Sequence, residues 1–105
     1  MTQRSAFVLR VRPEKVDEYV EAHRNVWPEM LAALRDAGAR NYSIYLHGQD
    51  LFGYLEVEDL ERFQSSMAAS PVNDRWQAHM GRLIDPLTDP ATGFHRRLDE
   101  VFHLD

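Results

Sequence analysis

Midway along the chain, two runs of alternating apolar and polar residues meet at His47-Gly48-Gln49-Asp50. In the first run, from Asn41, Tyr42, Ile44 and Leu46 point one way while Ser43, Tyr45 and His47 point the other; the second run is Leu51 to Val57. A repeat of two is what a strand with unlike faces requires, because successive side chains leave opposite sides of the backbone. A glycine-bearing connection this short reads as a hairpin turn. An antiparallel pair is therefore expected in the middle of the chain, with further elements on either side.

Those flanks divide cleanly. Ala6 to Arg12 repeats the strand alternation, with Phe7, Leu9 and Val11 on one face. Pro13 then opens a helical segment in which Val16, Tyr19, Val20 and His23 fall on one stripe while Glu14, Lys15, Asp17, Glu18 and Glu21 face water. Pro28 forbids a simple continuation but suits the first turn of a new helix, Glu29 to Ala37, which Gly38 ends. After the hairpin, Asp59 is placed to cap a third helix bearing Leu60, Phe63 and Met67, broken near Ser70-Pro71. A fourth carries Val72, Trp76, His79, Met80 and Leu83 on one side. Asp85 to Gly93, with two prolines and no periodicity, reads as a loop, and Asp99 to Leu104 as a last strand.

The order strand, helices, strand, strand, helices, strand fits a ferredoxin-like α+β fold: an antiparallel sheet with its helices on one face. The opposite sheet face then needs cover. Two such sheets packed together form a dimeric α/β barrel, so a homodimer is expected. A chain of 105 residues, 44% of them hydrophobic, has material for one domain spanning residues 1–105.

Charge and composition remove several function classes. The formal net charge is -5, and the densest basic spot, Arg96-Arg97, sits beside Asp99 and Glu100, which argues against nucleic acid or an acidic membrane surface as partner. There is no cysteine, hence no disulfide, thiolate metal site or Cys nucleophile. Arg10 and Arg12 interrupt the N-terminal apolar residues and no run reaches membrane-spanning length, so a cytoplasmic location is expected. Glycine-rich phosphate loops, GxSxG and HExxH are absent, and the five histidines are scattered, so a metal centre would need all its convergence from the fold.

What remains is an aromatic group around one histidine. Tyr19 and His23 are i, i+4 neighbours on one helical face. If that face packs on the sheet, Tyr42 comes from the strand set beneath it and Trp76 from the stripe of the last helix. Tyrosine and tryptophan on apolar stripes are more often core than site. Two tyrosines and a histidine, however, form a polar minority that a plain core has little reason to collect, since burying an unpaired polar group costs about 1 to 3 kcal/mol. Spacing alone leaves a small-molecule pocket and a purely structural cluster both open. His79, His95 and His103 read as structural or surface residues, and His47 as part of the turn or of the partner-facing sheet surface.

The segments AFVLRVRP, EYVEAHRNVWPEM, GARNYSIYL, SPVNDRW and EVFHL, in this order, resemble the L-rhamnose mutarotase family over essentially the whole chain. The resemblance implies a dimeric α/β barrel that interconverts the anomers of L-rhamnose without cofactor or metal. It assigns proton transfer to His23 and substrate contacts to Tyr19, Tyr42 and Trp76. Where the family commonly carries a second tryptophan, Gln77 stands, a substrate-binding position at which an amide replaces a stacking surface. That departure leaves another 6-deoxyhexose such as L-fucose as an alternative substrate. A dimeric-barrel monooxygenase and a non-catalytic ligand-binding module are the competing classes.

Overall fold

The computed structural model describes residues 2–85 and 96–105. Among them, β1 (Gln3–Val11) is followed by a 3-10 turn (Pro13–Lys15), α1 (Val16–Arg24) and α2 (Pro28–Asp36). Then come β2 (Arg40–His47), β3 (Asp50–Val57), α3 (Leu60–Ala68), α4 (Pro71–Gly81), β4 (Ile84–Asp85) and β5 (Arg96–Leu98). The sheet order is β2-β3-β1-β4, with β5 also paired to β1, and every pairing is antiparallel. This is the expected ferredoxin-like arrangement.

The helices lie on one face because alternation sends the apolar side chains there. Phe7, Leu9 and Val11 of β1 and Leu51, Leu55 and Val57 of β3 are buried, and they meet Tyr19, Met30, Met67, Trp76, Met80 and Leu83 from the helical side. Full burial of one such aliphatic side chain is worth about 1.5 to 3 kcal/mol. Helix ends follow local chemistry: Asp59 accepts from the Arg62 backbone N–H, and Ser70 accepts from that of Asn73. Gly48, at φ 64°, turns β2 into β3 in a conformation that costs glycine little.

Two details of the sheet position Tyr42. The β2–β3 register shifts between Arg40 and Ser43, and Asn41 at this irregularity adopts φ 48°, a conformation asparagine tolerates better than most residues. The Asn41 amide donates to Glu56 Oε1 at 2.8 Å and pins the bulge. Next to it, Tyr42 turns to the helical side, its ring 6.2 Å from that of Phe7 in an edge-on pair. Gly53 makes this possible, because a Cβ there would lie within the Phe7 ring. The missing side chain lets Phe7 lie across β3 and buttress Tyr42.

The C-terminal strand is shorter and earlier than the alternation predicts. Strand β5 ends at Leu98, and residues 99–105 have no regular structure. The pairing of Ala6 with Leu98 leaves only Ser5, Arg4 and Gln3 of β1 ahead of the tail, so a strand reaching Leu104 would outrun its partner. Instead Glu100 receives both ends of the Arg4 fork at 2.8 and 3.0 Å, and Val101, Phe102 and Leu104 remain exposed. Asp85 belongs to β4; most of the expected loop from Asp85 to Gly93, together with His95, lies outside the described residues.

Candidate active site

Helix α1 carries Tyr19 and His23 one turn apart, and their rings stack at 4.2 Å with an interplanar angle of 26°. His23 Nδ1 lies 3.0 Å from the Tyr19 carbonyl oxygen. A carbonyl can only accept, so Nδ1 carries the proton of the neutral ring and Nε2 keeps its lone pair. Trp76 from α4 meets the imidazole edge-on at 5.5 Å and 78°. The sheet supplies Tyr42, close enough for its charge to raise the pKa of Tyr19.

Burial sets the charge state of the group. It lowers the His23 pKa below the ordinary 6.5, an effect that the hydrogen bond to the Tyr19 carbonyl only partly opposes. Burial raises the Tyr19 phenol far above its usual value and pushes that of Tyr42 up to about 12. Tyr42 retains 37% of its surface, although its phenol is desolvated by its surroundings. At neutral pH the site thus presents a neutral imidazole with a free Nε2 and two protonated phenols. Among the described residues no buried side-chain nitrogen or oxygen lacks a hydrogen-bond partner. Tyr19 Oη and His23 Nε2, which have no such partner, therefore keep an opening to solvent.

Gln77 stands apart from these rings. It is exposed, and its amide donates to Asn73 Oδ1 at 3.2 Å, one turn back on α4. Asn73 in turn donates to the Met67 carbonyl at 3.0 Å, tying α4 to the end of α3. His47 is exposed at the end of β2, and His103 pairs with Asp105 at 2.8 Å. No cluster of three or more His, Cys, Asp or Glu side chains that could hold a metal ion occurs among the described residues. Two depressions of about 490 and 470 Å³ lie along the β2 side of the molecule; the second borders Tyr42, and neither includes His23. The convergence of Tyr19, His23, Tyr42 and Trp76 defines the site.

Trp27 lies outside the aromatic group that the sequence singles out. The structure packs its ring against Trp76 at 5.0 Å and 84°. A signal was present: Tyr19, His23 and Trp27 recur every four residues, a continuation hidden by the helix break after Arg24.

The sequence profile of the L-rhamnose mutarotase family matches residues 4–104. The chain belongs to this family. An L-rhamnose mutarotase from Oceanobacillus iheyensis is 42% identical over 105 residues, covering 98% of this chain and 99% of the relative. One from Bacillus subtilis is 39% identical over 105 residues, covering 98% of this chain and 99% of the relative. Among solved structures, an L-rhamnose mutarotase from Formosa agariphila superposes with a TM-score of 0.80 at 24% identity, covering 98% of this chain and 99% of the other. Tetracenomycin F2 cyclase from Streptomyces glaucescens, a polyketide cyclase, gives a TM-score of 0.71 at 15% identity, covering 98% and 97%. These two likenesses speak to the fold alone.

For a mutarotase that needs the neutral imidazole, the lowered His23 pKa has a direct consequence. Activity holds on acidification through pH 6.5 and falls only at lower pH, as the imidazole takes up its proton. A pH profile of anomer exchange checks this, and an acid limb at or above pH 6.5 contradicts it. Stability follows the same sign. The unfolded chain binds this proton more readily, so the contribution is complete above 6.5 and is lost as pH falls through the lowered value.

Proposed function

We propose that the chain is an isomerase that interconverts the α and β anomers of L-rhamnopyranose by opening and reclosing the ring, with His23 moving the proton. The observation carrying this reading is the tautomer: with the Nδ1 proton held by the Tyr19 carbonyl, Nε2 is left to act. Nε2 takes the proton of the anomeric hydroxyl, the bond from C1 to the ring oxygen breaks as the aldehyde forms, and the imidazolium returns that proton to the ring oxygen. Rotation about C1–C2 and the reverse steps close the ring on the other face. The same imidazole serves both directions because a neutral imidazole accepts a proton and the imidazolium so formed gives it back.

Tyr19 and Tyr42, kept protonated by burial, donate hydrogen bonds to sugar oxygens and fix the orientation of the ring. Trp76 offers an apolar surface to the C–H face and the C6 methyl of the deoxy sugar. Gln77 contributes an amide near the rim of α4, where the family commonly has indole, and bears on which 6-deoxyhexose is preferred. Nothing in this scheme draws on a metal or cofactor. Saturation-transfer NMR on equilibrated L-rhamnose tests the proposal: catalysed exchange between the anomers supports it, and exchange no faster than in buffer overturns it. Running L-fucose alongside measures selectivity.

The active molecule in this reading is a homodimer joined through the outer sheet face. Tyr45 and Phe52 are cross-strand neighbours there, 67% and 41% exposed, with Leu98 at 42% on the far side of β1. An apolar surface of this kind on a sheet is the sort that a second copy covers. Phe52→Asp places a charge in its centre and is expected to yield a monomer in sedimentation velocity; a variant sedimenting as the wild type would contradict the interface.

A further inference from the structure

Beyond the residues assigned to the sugar, a chain of ring contacts runs from His23 to the surface. Trp76 is central to it: its ring lies nearly perpendicular to that of His23, at 5.5 Å and 78°, and to that of Trp27, at 5.0 Å and 84°. His79, one turn on from Trp76 in α4, stacks on Trp27 at 5.8 Å and 27°, and lies tilted 6.1 Å from Trp76. His79 is in turn held by Arg82. The guanidinium donates from Nη2 to His79 Nδ1 at 3.3 Å and from Nε to the His79 carbonyl at 3.2 Å. Nη2 also reaches Glu18 Oε2 at 3.1 Å, and Glu18 directly precedes Tyr19 on α1. A closed circuit therefore joins α1, the start of α2 and the end of α4 around the imidazole.

We propose that Trp27 and His79 are positioning residues, which hold the Trp76 ring edge-on against His23 and thereby fix the imidazole plane and keep water from its indole side. The inference rests on the catalytic reading of His23 given above. Trp27 suits the task because its backbone is set by position: it caps α2 immediately before Pro28, with φ -55° and ψ 133°, and the residue before a proline is confined to such extended conformations. A ring on a fixed stem, wedged between two others, has little freedom to turn. Aromatic pairs favour edge-to-face and offset arrangements because of the ring quadrupole. The Trp76 plane thus follows from that of Trp27, and the His23 plane from that of Trp76.

Proton transfer makes this geometry matter. Nε2 has to meet the anomeric oxygen within hydrogen-bond reach, and a misplacement of about 1 Å in such an arrangement costs on the order of 100-fold in rate. The titratable groups around the cluster are Tyr19 on the same helix as His23, Tyr42 on β2 and, beyond Trp76, His79 on α4; Glu18 and Arg82 form an exposed ion pair at its edge. Burial is the main influence on His23, so loss of its aromatic wall exposes it to water and moves its titration toward the ordinary value.

The test compares Trp27→Ala and His79→Ala with Trp27→Phe and His79→Phe, using anomer exchange on L-rhamnose together with NMR titration of the His23 ring nitrogens. The alanine variants are expected to lose about tenfold or more in kcat and to titrate His23 at higher pH than the wild type. The phenylalanine variants, which keep a ring in place, are expected to retain activity within about threefold. A merely structural role would lower Tm without moving the His23 titration. Folded alanine variants with wild-type kcat and wild-type titration overturn the proposal. Where Trp27→Ala does not fold, the His79 pair decides alone, since His79 is half-buried at the rim. Should His23→Ala leave exchange intact, the catalytic reading falls, while the titration still reports whether the aromatic circuit controls the imidazole environment.

Discussion

His23→Ala lowers the enzyme-dependent rate of L-rhamnose anomer exchange by about 100- to 10,000-fold, the range of a general acid–base contribution. The argument rests on what the substitution removes and what it leaves. It removes the free Nε2, and no other described ring in the cluster is uncharged with a basic nitrogen pointed away from a donor: His79 Nδ1 already receives the Arg82 guanidinium. It leaves Tyr19, Tyr42 and Trp76, the proposed sugar contacts, so on that reading sugar affinity persists and the loss falls on kcat. The fold tolerates the change because His23 is only half-buried, and a typical hydrogen bond such as that to the Tyr19 carbonyl is worth about 0.5 to 1.5 kcal/mol. Saturation-transfer NMR at saturating sugar is the direct measurement. A folded His23→Ala protein with unchanged exchange would remove the imidazole from the mechanism.

Trp76→Ala is the substitution with the largest effect on stability, a loss of about 3 to 5 kcal/mol. Trp76 is 7% exposed and shares ring contacts with His23, Trp27 and His79. Truncation leaves a cavity between α1, α4 and the start of α2 that the proline-anchored Trp27 cannot collapse to fill. Total stability of a domain is about 5 to 15 kcal/mol, so about a fifth or more of it is at stake. Urea unfolding followed by circular dichroism measures the loss as a lowered midpoint with an unchanged slope. A decrease below about 0.5 kcal/mol, within the range of ordinary surface changes, would show that the aromatic circuit does not hold the helices together. Trp76→Phe keeps enough ring to separate this from the contribution to sugar binding proposed for the indole.

The parts of this molecule governed by local rules were readable directly. Alternation at Phe7, Leu9 and Val11, the glycine turn at Gly48 and the cap at Asp59 each act within a few residues, and each stands where the sequence places it. The pairing of Tyr19 with His23 was legible for the same reason, since i, i+4 geometry is a property of one helix. What escaped depends on distant partners. The last strand was misplaced because its register is set by β1, some ninety residues earlier, and apolar character at Val101, Phe102 and Leu104 counted for nothing once β1 had ended. Trp27 was missed because the break between α1 and α2 disguised a four-residue repeat. The engagement of Gln77 with Asn73 is likewise a matter of which flank of α4 meets α3, which periodicity does not specify.

The central place of β1 also dictates an order of events as the chain folds. Its partners β3, β4 and β5 all come after both helices of the first half, so Phe7, Leu9 and Val11 have no strand to pair with until much of the chain exists. The hairpin of β2 and β3 closes across two residues and meets no such delay. Pulse-labelled hydrogen exchange during refolding should therefore protect amides from Ile44 to Gly53 before those of β1; the reverse order would refute the sequence of assembly. Until its neighbours arrive, β1 is an apolar strand in waiting, and Arg4, Arg10 and Arg12 spaced along and just beyond it supply the charge repulsion that keeps nascent copies from joining one another.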